Sequence, residues 1–292
     1  MKNYNKIFTS LLLSIFLFLS ITINANASAS LGFVTTQTLN ENPADSQTLI
    51  RRDNNSKTPL PNRFRNLKDL NISGSAQFNP SQLKNIIETL NNNELYIIDL
   101  RQESHGFINT TPINFYNREK LLNKDFTTSD TLVAEKKDLD SIKIGSEVNI
   151  SNKDGKVIDT ITAEKVFSEE TLVKENNVFY ERFAVRDGGI PTLEVTDDFV
   201  DFVKNKTPNS HLHFHCKAGQ GRTTTFMSLY QMMNNKDNLP LDAILKHQLD
   251  EGGVILTDSS SRAAFLESFY KYTLENMDSN FKVPYSTWIK SN

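Results

Sequence analysis

The chain has 292 residues, a formal net charge of −3 and 38% hydrophobic residues. This length and composition are typical of a globular chain with one large domain, or one domain with an insertion. The slight negative charge gives no argument for nucleic-acid binding, so any affinity for a polyanion must come from a local basic site.

The first 27 residues have the pattern of a signal peptide. Lys2 and Lys6 precede an apolar run over residues 11–23, and the Ala-Asn-Ala sequence that ends at Ala27 is typical of a cleavage site. The run is short for a membrane span, and no other stretch approaches the necessary length. We therefore expect a secreted or extracytoplasmic protein without a stable membrane anchor after cleavage. A retained N-terminal anchor is the alternative.

A polar lead-in over residues 28–59 precedes the predicted ordered part, which begins at residue 60. Apolar spacing predicts a helix over residues 81–90, and residues 94–100 form a short apolar run typical of a buried strand. A helix followed by such a strand favours a parallel or mixed sheet with helices on its faces.

Residues 120–178 have a different sequence pattern, with short β-like runs at 142–144, 148–150 and 157–161. Asp154-Gly155 lies between the last two runs and is typical of a hairpin. We expect a small β-rich insertion here, between core segments 60–119 and 179–292. In the second core segment the sequence predicts strands at 179–185 and 211–215, and helices at 196–204, 241–249 and 262–275.

The loop after the predicted strand 211–215 carries the strongest functional signal. It reads Cys-Lys-Ala-Gly-Gln-Gly-Arg-Thr and leads from a strand into a helix. Gly219 and Gly221 permit positive φ and close backbone approach. Inward-facing N–H groups and the helix dipole favour an anion at such a place. The sequence therefore predicts a phosphate cradle formed by Lys217, Ala218, Gly219, Gln220 and Gly221, with Arg222 as a bidentate ligand.

Cys216 is the only cysteine of the chain, so no intramolecular disulfide can form. A helix N-terminus and a neighbouring guanidinium lower the pKa of a thiol, and the resulting thiolate is a nucleophile. The alternative is an inert cysteine buried on a core strand. The combination with two glycines and Arg222 favours the nucleophile.

Phosphoryl transfer also needs an acid for the leaving oxygen, and Asp187 is the best candidate. It lies in the segment Arg-Asp-Gly-Gly-Ile-Pro, whose glycines and proline indicate a loop able to close over a substrate. An ordinary Asp-Gly turn is the alternative interpretation. Asp197 and Asp198 are poorer candidates because they suit the start of a helix.

Residues flanking the nucleophile have weaker signals. The Thr223 hydroxyl is placed to hydrogen-bond the sulfur. The alternative is that Thr223 is an ordinary residue of the first helical turn, and the two interpretations are compatible. His211, His213 and His215 alternate along one strand face, and adjacent ligands on one strand rarely complete a zinc site, so we expect no metal and no cofactor. His215 is expected to bond backbone and order the loop.

Polar residues follow the predicted strand 94–100, beginning with Arg101, Glu103 and His105. Ligands of open α/β sheets bind beyond the carboxyl ends of strands, so these residues are candidates to line the pocket. An ion-paired loop end is the alternative.

The loop pattern Cys-x5-Arg-Thr resembles that of the protein-tyrosine-phosphatase (PTP) superfamily. The strings HFHCKAGQGRTT, DLRQESHGF and ISGSAQFNPSQLKN are similar to those of the bacterial PTP-like phytases, over most of the chain after residue 60. The resemblance implies an α/β fold, namely a phosphatase core of a central mixed sheet flanked by helices, with the insertion forming a partial barrel.

The resemblance also implies roles. Cys216 would be the nucleophile, Arg222 the phosphate ligand and Asp187 the general acid, while Arg65 and the stretch from Arg101 to His105 would lie near the substrate. Typical members have His-Val-Trp-Pro after the acid, where this chain has Gly-Gly-Ile-Pro.

The function that follows is an exported, metal-independent phosphatase that acts on inositol polyphosphates through a phosphocysteine intermediate. The partner would be a small phosphorylated molecule. Lys217 adds a positive charge to the loop, which thereby resembles the loop of phosphoinositide phosphatases, and this resemblance favours a multiply phosphorylated substrate over a simple monoester. The alternatives are a protein-tyrosine, dual-specificity or phosphoinositide phosphatase, or a phosphate-binding module without turnover.

Overall fold

The computed structural model describes residues 48–53, 56–117, 119 and 122–291. The predicted signal peptide and most of the predicted lead-in lie outside the described residues. The strands are β1 Leu49–Arg52, β2 Arg65–Leu67, β3 Ile72–Ser75, β4 Leu95–Arg101, β5 His105–Ile108, β6 Thr111–Tyr116, β7 Glu147–Ser151, β8 Val157–Thr162, β9 Val166–Phe167, β10 Phe179–Val185 and β11 His211–His215. The helices are α1 Pro80–Leu90, α2 Thr128–Asp140, α3 Glu169–Glu175, α4 Leu193–Asn205, α5 Gly221–Met233, α6 Leu241–Asp250, α7 Ser260–Asn276 and α8 Tyr285–Trp288.

The central sheet is mixed, with the strand order β10-β4-β11-β3-β2. Its first four strands are parallel, and β2 pairs antiparallel at the edge. His215 pairs with Asp99 of β4 and with Ser75 of β3, while Val185 pairs with Arg101. The carboxyl ends of β4, β10 and β11 therefore meet at one edge of the sheet, which is where open α/β sheets bind ligands.

Helices cover both faces of this sheet, as the sequence predicts. Ile97 and Ile98 are adjacent on β4 and fully buried, and strand alternation sends them to opposite faces. Ile98 belongs to the larger core with Phe199 of α4 and Phe226 of α5, and Ile97 belongs to a second core with Leu83 of α1. Full burial of such side chains stabilises the fold by roughly 1.5–3 kcal/mol each.

A second group of strands packs beside the central sheet. β1, β6, β5 and β9 form a four-stranded antiparallel sheet, and β7 and β8 form a hairpin. The predicted boundaries 120–178 enclose β7, β8 and β9, while β1, β5 and β6 of the same small sheets come from outside them. The assignment of residues 120–178 as one insertion stays a prediction.

Three expectations about elements are wrong. The ordered part begins before residue 60, because β1 pairs with β6 from Leu49 to Arg52. Residues 128–140 form a helix within the predicted β-rich segment, with a reciprocal cap between Thr127 and Asp130. Residues 142–144 are not a strand.

The helix predicted to begin at residue 196 begins earlier. The Thr192 hydroxyl accepts from the Val195 N–H and caps the first turn of α4. Thr196 and the two following aspartates therefore lie inside the helix and do not start it. None of the described residues belongs to a helix long and apolar enough to cross a membrane.

Candidate active site

The loop between β11 and α5 is wrapped tightly against β3 and the residues that follow it. Gly219 has a φ of +66°, and a Cβ there would lie 2.5 Å from the Ala76 backbone nitrogen, so no other residue fits without strain. Gln77 donates its N–H to the Lys217 carbonyl at 3.2 Å. Gly221, the first residue of α5, has no positive φ, so the expectation of positive φ holds for Gly219 alone.

Cys216 lies under this loop and is 3% exposed. Burial raises the pKa of its thiol, but the Arg222 charge and hydrogen bonds to the sulfur outweigh burial, so the pKa is lowered. The Thr223 hydroxyl donates to Sγ at 3.2 Å, and the N–H groups of Thr223 and Ala218 also point at it. These donors stabilise a thiolate, which is the nucleophilic form.

Arg222 is fixed by a two-pronged ion pair with Glu103. Its Nη1 and Nη2 lie 2.7 and 3.0 Å from the two carboxylate oxygens, and Nη1 also donates to the Val185 carbonyl at 3.0 Å. Burial opposes ionisation of Glu103, but Arg222 and Arg101 hold the pKa of its carboxyl well below the usual range. Glu103 is therefore an anchor for the guanidinium plane and stays charged at working pH.

Asp187 lies beside Arg222, two residues after β10. Its Oδ1 is 3.3 Å from Nη2 of Arg222, and its side chain is 55% exposed. The loop that carries it is held by Arg262 of α7, whose Nη2 donates to the carbonyls of Gly188 at 3.3 Å and Gly189 at 3.1 Å. The structure thus brings Cys216, Arg222 and Asp187 together, as the sequence predicts.

Arg65 supports the loop from below. Its Nη1 donates to the Gly219 carbonyl at 3.0 Å, and its Nη2 donates to the Thr224 hydroxyl at 3.3 Å. Burial lowers the pKa of Arg65 to about 10, with Arg63 adding to the effect and Cys216 opposing it. Arg65 is 6% exposed, and its hydrogen bonds go to the loop, to the first turn of α5 and to the Arg63 carbonyl.

Lys217 points to the side of the loop nearest the small sheet. Its Nζ donates to Asn114 Oδ1 at 3.0 Å and lies 3.2 Å from an oxygen of Asp53. The Asp53 side chain is fully buried, and one of its oxygens also lies 2.8 Å from Nη1 of Arg101. Asp53 is not predictable from the sequence, because it stands in a polar stretch that resembles a loose lead-in.

Arg101 and His105 do not face the cavity, contrary to the expectation that they line it. Arg101 is fully buried, with Nε 3.0 Å from Glu103 and Nη1 donating to Gln77 at 2.6 Å. His105 is 1% exposed, with Nδ1 3.1 Å from Glu135. Strand register explains this, since β4 and β5 turn these side chains into the protein interior. The ion-paired alternative is the better description of both.

His215 contacts a carboxylate and not the backbone partner that was expected. Its Nε2 lies 2.6 Å from Glu169 Oε1. Possible ligand atoms of Asp99, Glu169 and His215 lie within 4.8 Å of one another. Arg182 is 3.2 Å from Asp99, so one of the two carboxylates of this group already has a cationic partner. The absence of a metal requirement stays a prediction.

The other two histidines of β11 are structural. His211 Nε2 lies 2.9 Å from the Ser73 hydroxyl, and His213 lies 2.8 and 3.0 Å from the hydroxyls of Ser73 and Ser75. Burial lowers the pKa of His211 to about 4 and that of His213 well below its usual value. Both side chains therefore stay neutral at physiological pH.

A cavity of about 190 Å³ opens beside the catalytic loop. Its wall contains both site residues and residues of the small sheet: Arg51, Gln102, Glu103, Asn114, Phe115, Tyr116, Asn117, Leu122, Arg186, Asp187 and Lys217. Sequence reasoning missed Arg51, Asn114 and Arg262, because their neighbours in space are remote in sequence.

The central sheet, the Cys216 loop and the helix that follows it match the fold of solved PTP-like phytases. The model of the PTP-like phytase family, described as "Inositol hexakisphosphate", matches residues 98–234. A PTP-like phytase from Bdellovibrio bacteriovorus is 28% identical, with a TM-score of 0.73 over 84% of this chain and 96% of that one. The chain is thus similar to the PTP-like phytases in sequence over residues 98–234 and in fold over most of its length.

Two further relatives are longer than this chain. A PTP-like myo-inositol phosphatase from Mitsuokella multacida, solved in complex with myo-inositol-(1,3,4,5)-tetrakisphosphate, is 29% identical with a TM-score of 0.74, covering 83% of this chain and 49% of that one. Effector protein hopD2 of Pseudomonas syringae pv. tomato is 27% identical over 254 residues, which is 80% of this chain and 54% of the effector. The chain therefore spans about half the length of each of these two relatives.

Proposed function

We propose that the protein is an exported phosphatase that hydrolyses phosphate monoesters of inositol polyphosphates through a phosphocysteine intermediate. The observation that carries the proposal is the convergence of three side chains at one sheet edge. The Cys216 thiol has a lowered pKa, Arg222 is oriented by Glu103, and Asp187 lies 3.3 Å from Arg222 on the open side.

In the first half-reaction the Cys216 thiolate attacks the phosphorus and the bond from phosphorus to the ester oxygen breaks. The N–H groups of the loop and the Arg222 guanidinium bind the phosphoryl oxygens, where negative charge concentrates. Asp187, in its protonated form, donates a proton to the departing alcohol oxygen. The products of this step are the free alcohol and a phosphoryl group on sulfur.

In the second half-reaction water attacks the phosphorus and the bond between phosphorus and sulfur breaks. The Asp187 carboxylate accepts the proton from water, which returns it to its starting form. The Thr223 hydroxyl, 3.2 Å from Sγ, stabilises the thiolate that leaves. The same donors that lower the thiol pKa thus also make the sulfur a better leaving group.

The substrate class follows from the relatives and from the cavity. The Mitsuokella relative was solved with an inositol tetrakisphosphate, and the family model is described by inositol hexakisphosphate. The cations Arg51, Arg186 and Lys217 line the cavity next to the loop. A substrate with several phosphates has a ligand for these charges, whereas a simple monoester has none.

Export is supported by the leader-like sequence before residue 28 and by the similarity to a bacterial effector. Fractionation of cells that express the full chain, with sequencing of the mature N-terminus, tests it. Processed protein that begins at Ser28 outside the cytoplasm is the expected result. An unprocessed cytoplasmic chain would contradict it.

The similarity to an effector also favours a second candidate, in which the same chemistry removes phosphate from phosphotyrosine proteins or phosphoinositides of another cell. Phosphate release across soluble inositol phosphates, phosphoinositide vesicles and phosphotyrosine peptides separates the two. We expect the highest kcat/KM for inositol polyphosphates, with the Cys216→Ser variant as the blank. Good turnover of phosphopeptides with negligible activity on every inositol phosphate would overturn the first candidate.

The intermediate is tested separately. Acid quenching of the Asp187→Asn variant during turnover of ³²P-labelled p-nitrophenyl phosphate should leave label on the peptide that contains Cys216. The good leaving group lets the first step proceed without the acid, whereas the variant lacks the base for the second step. Label that is absent from Cys216 in both the variant and the wild type argues for direct attack by water.

A further inference from the structure

Glu169 is a buried carboxylate that the proposed chemistry does not use. It is the first residue of α3, it is 0% exposed, and it is not among the residues that line the cavity. Burial raises the pKa of its carboxyl, but His215 and His105 outweigh burial and lower the pKa to about 2. Glu169 is therefore ionised at working pH, and a buried charge of this kind is costly unless specific partners hold it.

The two oxygens of Glu169 reach the two residues that flank Cys216 in the chain. Oε1 lies 2.6 Å from Nε2 of His215, which directly precedes the nucleophile. Oε2 accepts from Nε2 of Gln77 at 2.6 Å, and the Gln77 backbone N–H donates to the carbonyl of Lys217, which directly follows the nucleophile. One carboxylate thus contacts one neighbour of Cys216 directly and holds the other through Gln77.

The backbone held in this way also stabilises the thiolate. Burial raises the pKa of the Cys216 thiol, whereas Arg222, the donors of Thr223 and the N–H of Ala218 lower it. Ala218 directly follows Lys217, so its N–H moves with the carbonyl that Gln77 holds. Hydrogen bonds weaken steeply when their distance and angle are disturbed. A small displacement of residues 215–217 would therefore weaken the stabilisation of the thiolate.

The groups around Glu169 place this contact apart from the cavity. Nε2 of His105 lies 3.5 Å from Glu169 and 3.3 Å from Asp99, and the Tyr180 hydroxyl donates to Asp99 at 2.8 Å. The neighbouring charge of Asp99 disfavours ionisation of Glu169. The titratable and charged groups on this side of the sheet are His105, Asp99, Tyr180, Arg182, Glu135 and His215.

We propose that Glu169 is a positioning residue of the reaction, which acts through His215 and Gln77 to hold the catalytic loop around the Cys216 thiolate. The inference rests on the proposed function and gives α3 a part in it, although α3 contributes no reacting group. Both the charge and the reach of Glu169 are needed. An amide is a weaker acceptor than a carboxylate, and a side chain shorter by one methylene does not span both partners.

Glu135 provides the matched control. It is 3% exposed and also contacts His105, at 3.1 Å from Nδ1, but its other partner is Arg182 of β10 at 2.7 Å. Its partners thus lie on β5 and β10 and not on the catalytic loop. Glu135→Gln therefore removes a similar buried charge without disturbing the residues that flank Cys216.

Alkylation by iodoacetamide tests the proposal without any phosphate substrate, because Cys216 is the only cysteine. The rate is measured as a function of pH in wild type, Glu169→Gln and Glu135→Gln, and its midpoint reports the pKa of the thiol. We expect the midpoint to rise by about one pH unit in Glu169→Gln, which is a tenfold loss of thiolate below the midpoint. In that range kcat for p-nitrophenyl phosphate should fall about tenfold, with a smaller change in KM. Glu135→Gln should keep the wild-type midpoint and kcat.

The direction of the shift separates positioning from simple charge. Loss of a nearby negative charge alone would lower the pKa of the thiol, whereas loss of N–H donors to the sulfur raises it. An unchanged or lowered midpoint in Glu169→Gln, or an equal rise in Glu135→Gln, would overturn the proposal. Glu169→Asp keeps the charge and loses the reach, so it should also raise the midpoint, and it decides the question if the glutamine variant does not fold. A rise specific to Glu169 with no hydrolysis of any inositol phosphate would sustain the positioning role and refute the proposed function.

Discussion

Two buried arginines of this protein have nearly the same immediate surroundings and different uses. Arg222 is 3% exposed and paired with both oxygens of Glu103, and Arg182 is 1% exposed and paired with Glu135 at 2.7 Å. In both cases burial works against the charge, and the neighbouring carboxylates outweigh it and raise the pKa of the arginine. Charge pairing alone does not distinguish them.

What separates them is the chemistry of their neighbours. The charge of Arg222 interacts with the Cys216 thiolate, and its partners Glu103 and the half-exposed Asp187 both line the cavity beside the loop. Arg182 instead has Asp99 at 3.2 Å and donates from its Nε to the Arg101 carbonyl at 2.9 Å. A buried ion pair is therefore a poor marker of a catalytic site, whereas a buried ion pair next to a nucleophile and an opening is a good one.

The largest expected effect on activity is for substitution of Cys216, the nucleophile beside Arg222. Cys216→Ser should lower kcat by at least about 100-fold, because a serine hydroxyl is not ionised at working pH and nucleophile losses are usually larger still. Steady-state phosphate release measures it. Binding of inorganic phosphate by calorimetry should survive, since the loop N–H groups and Arg222 remain. Residual activity above about one per cent would argue against covalent catalysis.

Asp187→Asn should lower kcat by about 10²–10⁴-fold with a smaller change in KM, because proton donation acts in the transition state. A substrate with a good leaving group needs the acid least. The loss should therefore be smaller for p-nitrophenyl phosphate than for an inositol phosphate. A small and equal loss of kcat on both substrates would indicate that another carboxylate is the general acid.

Substitution of Arg182 should lower stability and leave activity nearly unchanged. Arg182→Met leaves the buried Asp99 and Glu135 carboxylates without their main cation, which typically costs about 3–5 kcal/mol of unfolding free energy. Urea denaturation measures that loss, and kcat per folded molecule should stay close to the wild-type value. A large fall in kcat with unchanged stability would remove the distinction between the two arginines.

The parts of the site that the sequence predicts are those whose contacts are local. The loop from Cys216 to Thr223 has its own glycine and helix signals, and Asp187 follows a clear strand, so the three reacting side chains are readable from the chain. The central sheet is predictable for a similar reason, since β4, β10 and β11 are compact apolar runs.

The remainder depends on long-range pairing. Asp53 reaches Lys217 only because β1 pairs with β6, and nothing in its polar surroundings predicts that strand. The sequence predicts Arg101 as a pocket residue, whereas the register of β4 directs its side chain into the interior. Short strands in polar sequence carry little periodicity, so the small sheet and the residues it contributes escape local reasoning.

The buried His211 should also affect the stability of the fold at acid pH. The pKa of His211 is lowered to about 4, whereas the unfolded chain would protonate this group near its ordinary value of 6.5. The unfolded state thus binds more protons below pH 6.5, and this contribution to stability is present above that pH and is lost as the pH falls towards 4.

His211→Gln keeps a hydrogen-bonding group opposite Ser73 and removes the titration. The drop in unfolding free energy between pH 7 and pH 5 should be smaller in the variant than in wild type, by on the order of 2 kcal/mol. Urea titrations at the two pH values measure it, and kcat at pH 7 should not change. An equal pH dependence in both proteins would assign the acid sensitivity to other groups.

The smallest expected effect on activity is for Arg262, which contacts the loop that carries Asp187. Arg262 donates to the carbonyls of Gly188 and Gly189, and its guanidinium lies 3.4 Å from the place where a Cβ of Gly221 would be. It therefore holds the loop of Asp187 to α7 and lies close to the start of α5. Arg262→Ala should lower kcat about tenfold, the loss expected for one or two hydrogen bonds that position a group. KM for p-nitrophenyl phosphate should change little, because Arg262 is not among the residues that line the cavity. In the Asp187→Asn background the same substitution should have almost no further effect, since the residue that it positions no longer donates a proton. Full additivity of the two losses would mean that Arg262 acts on the phosphate loop and not through Asp187.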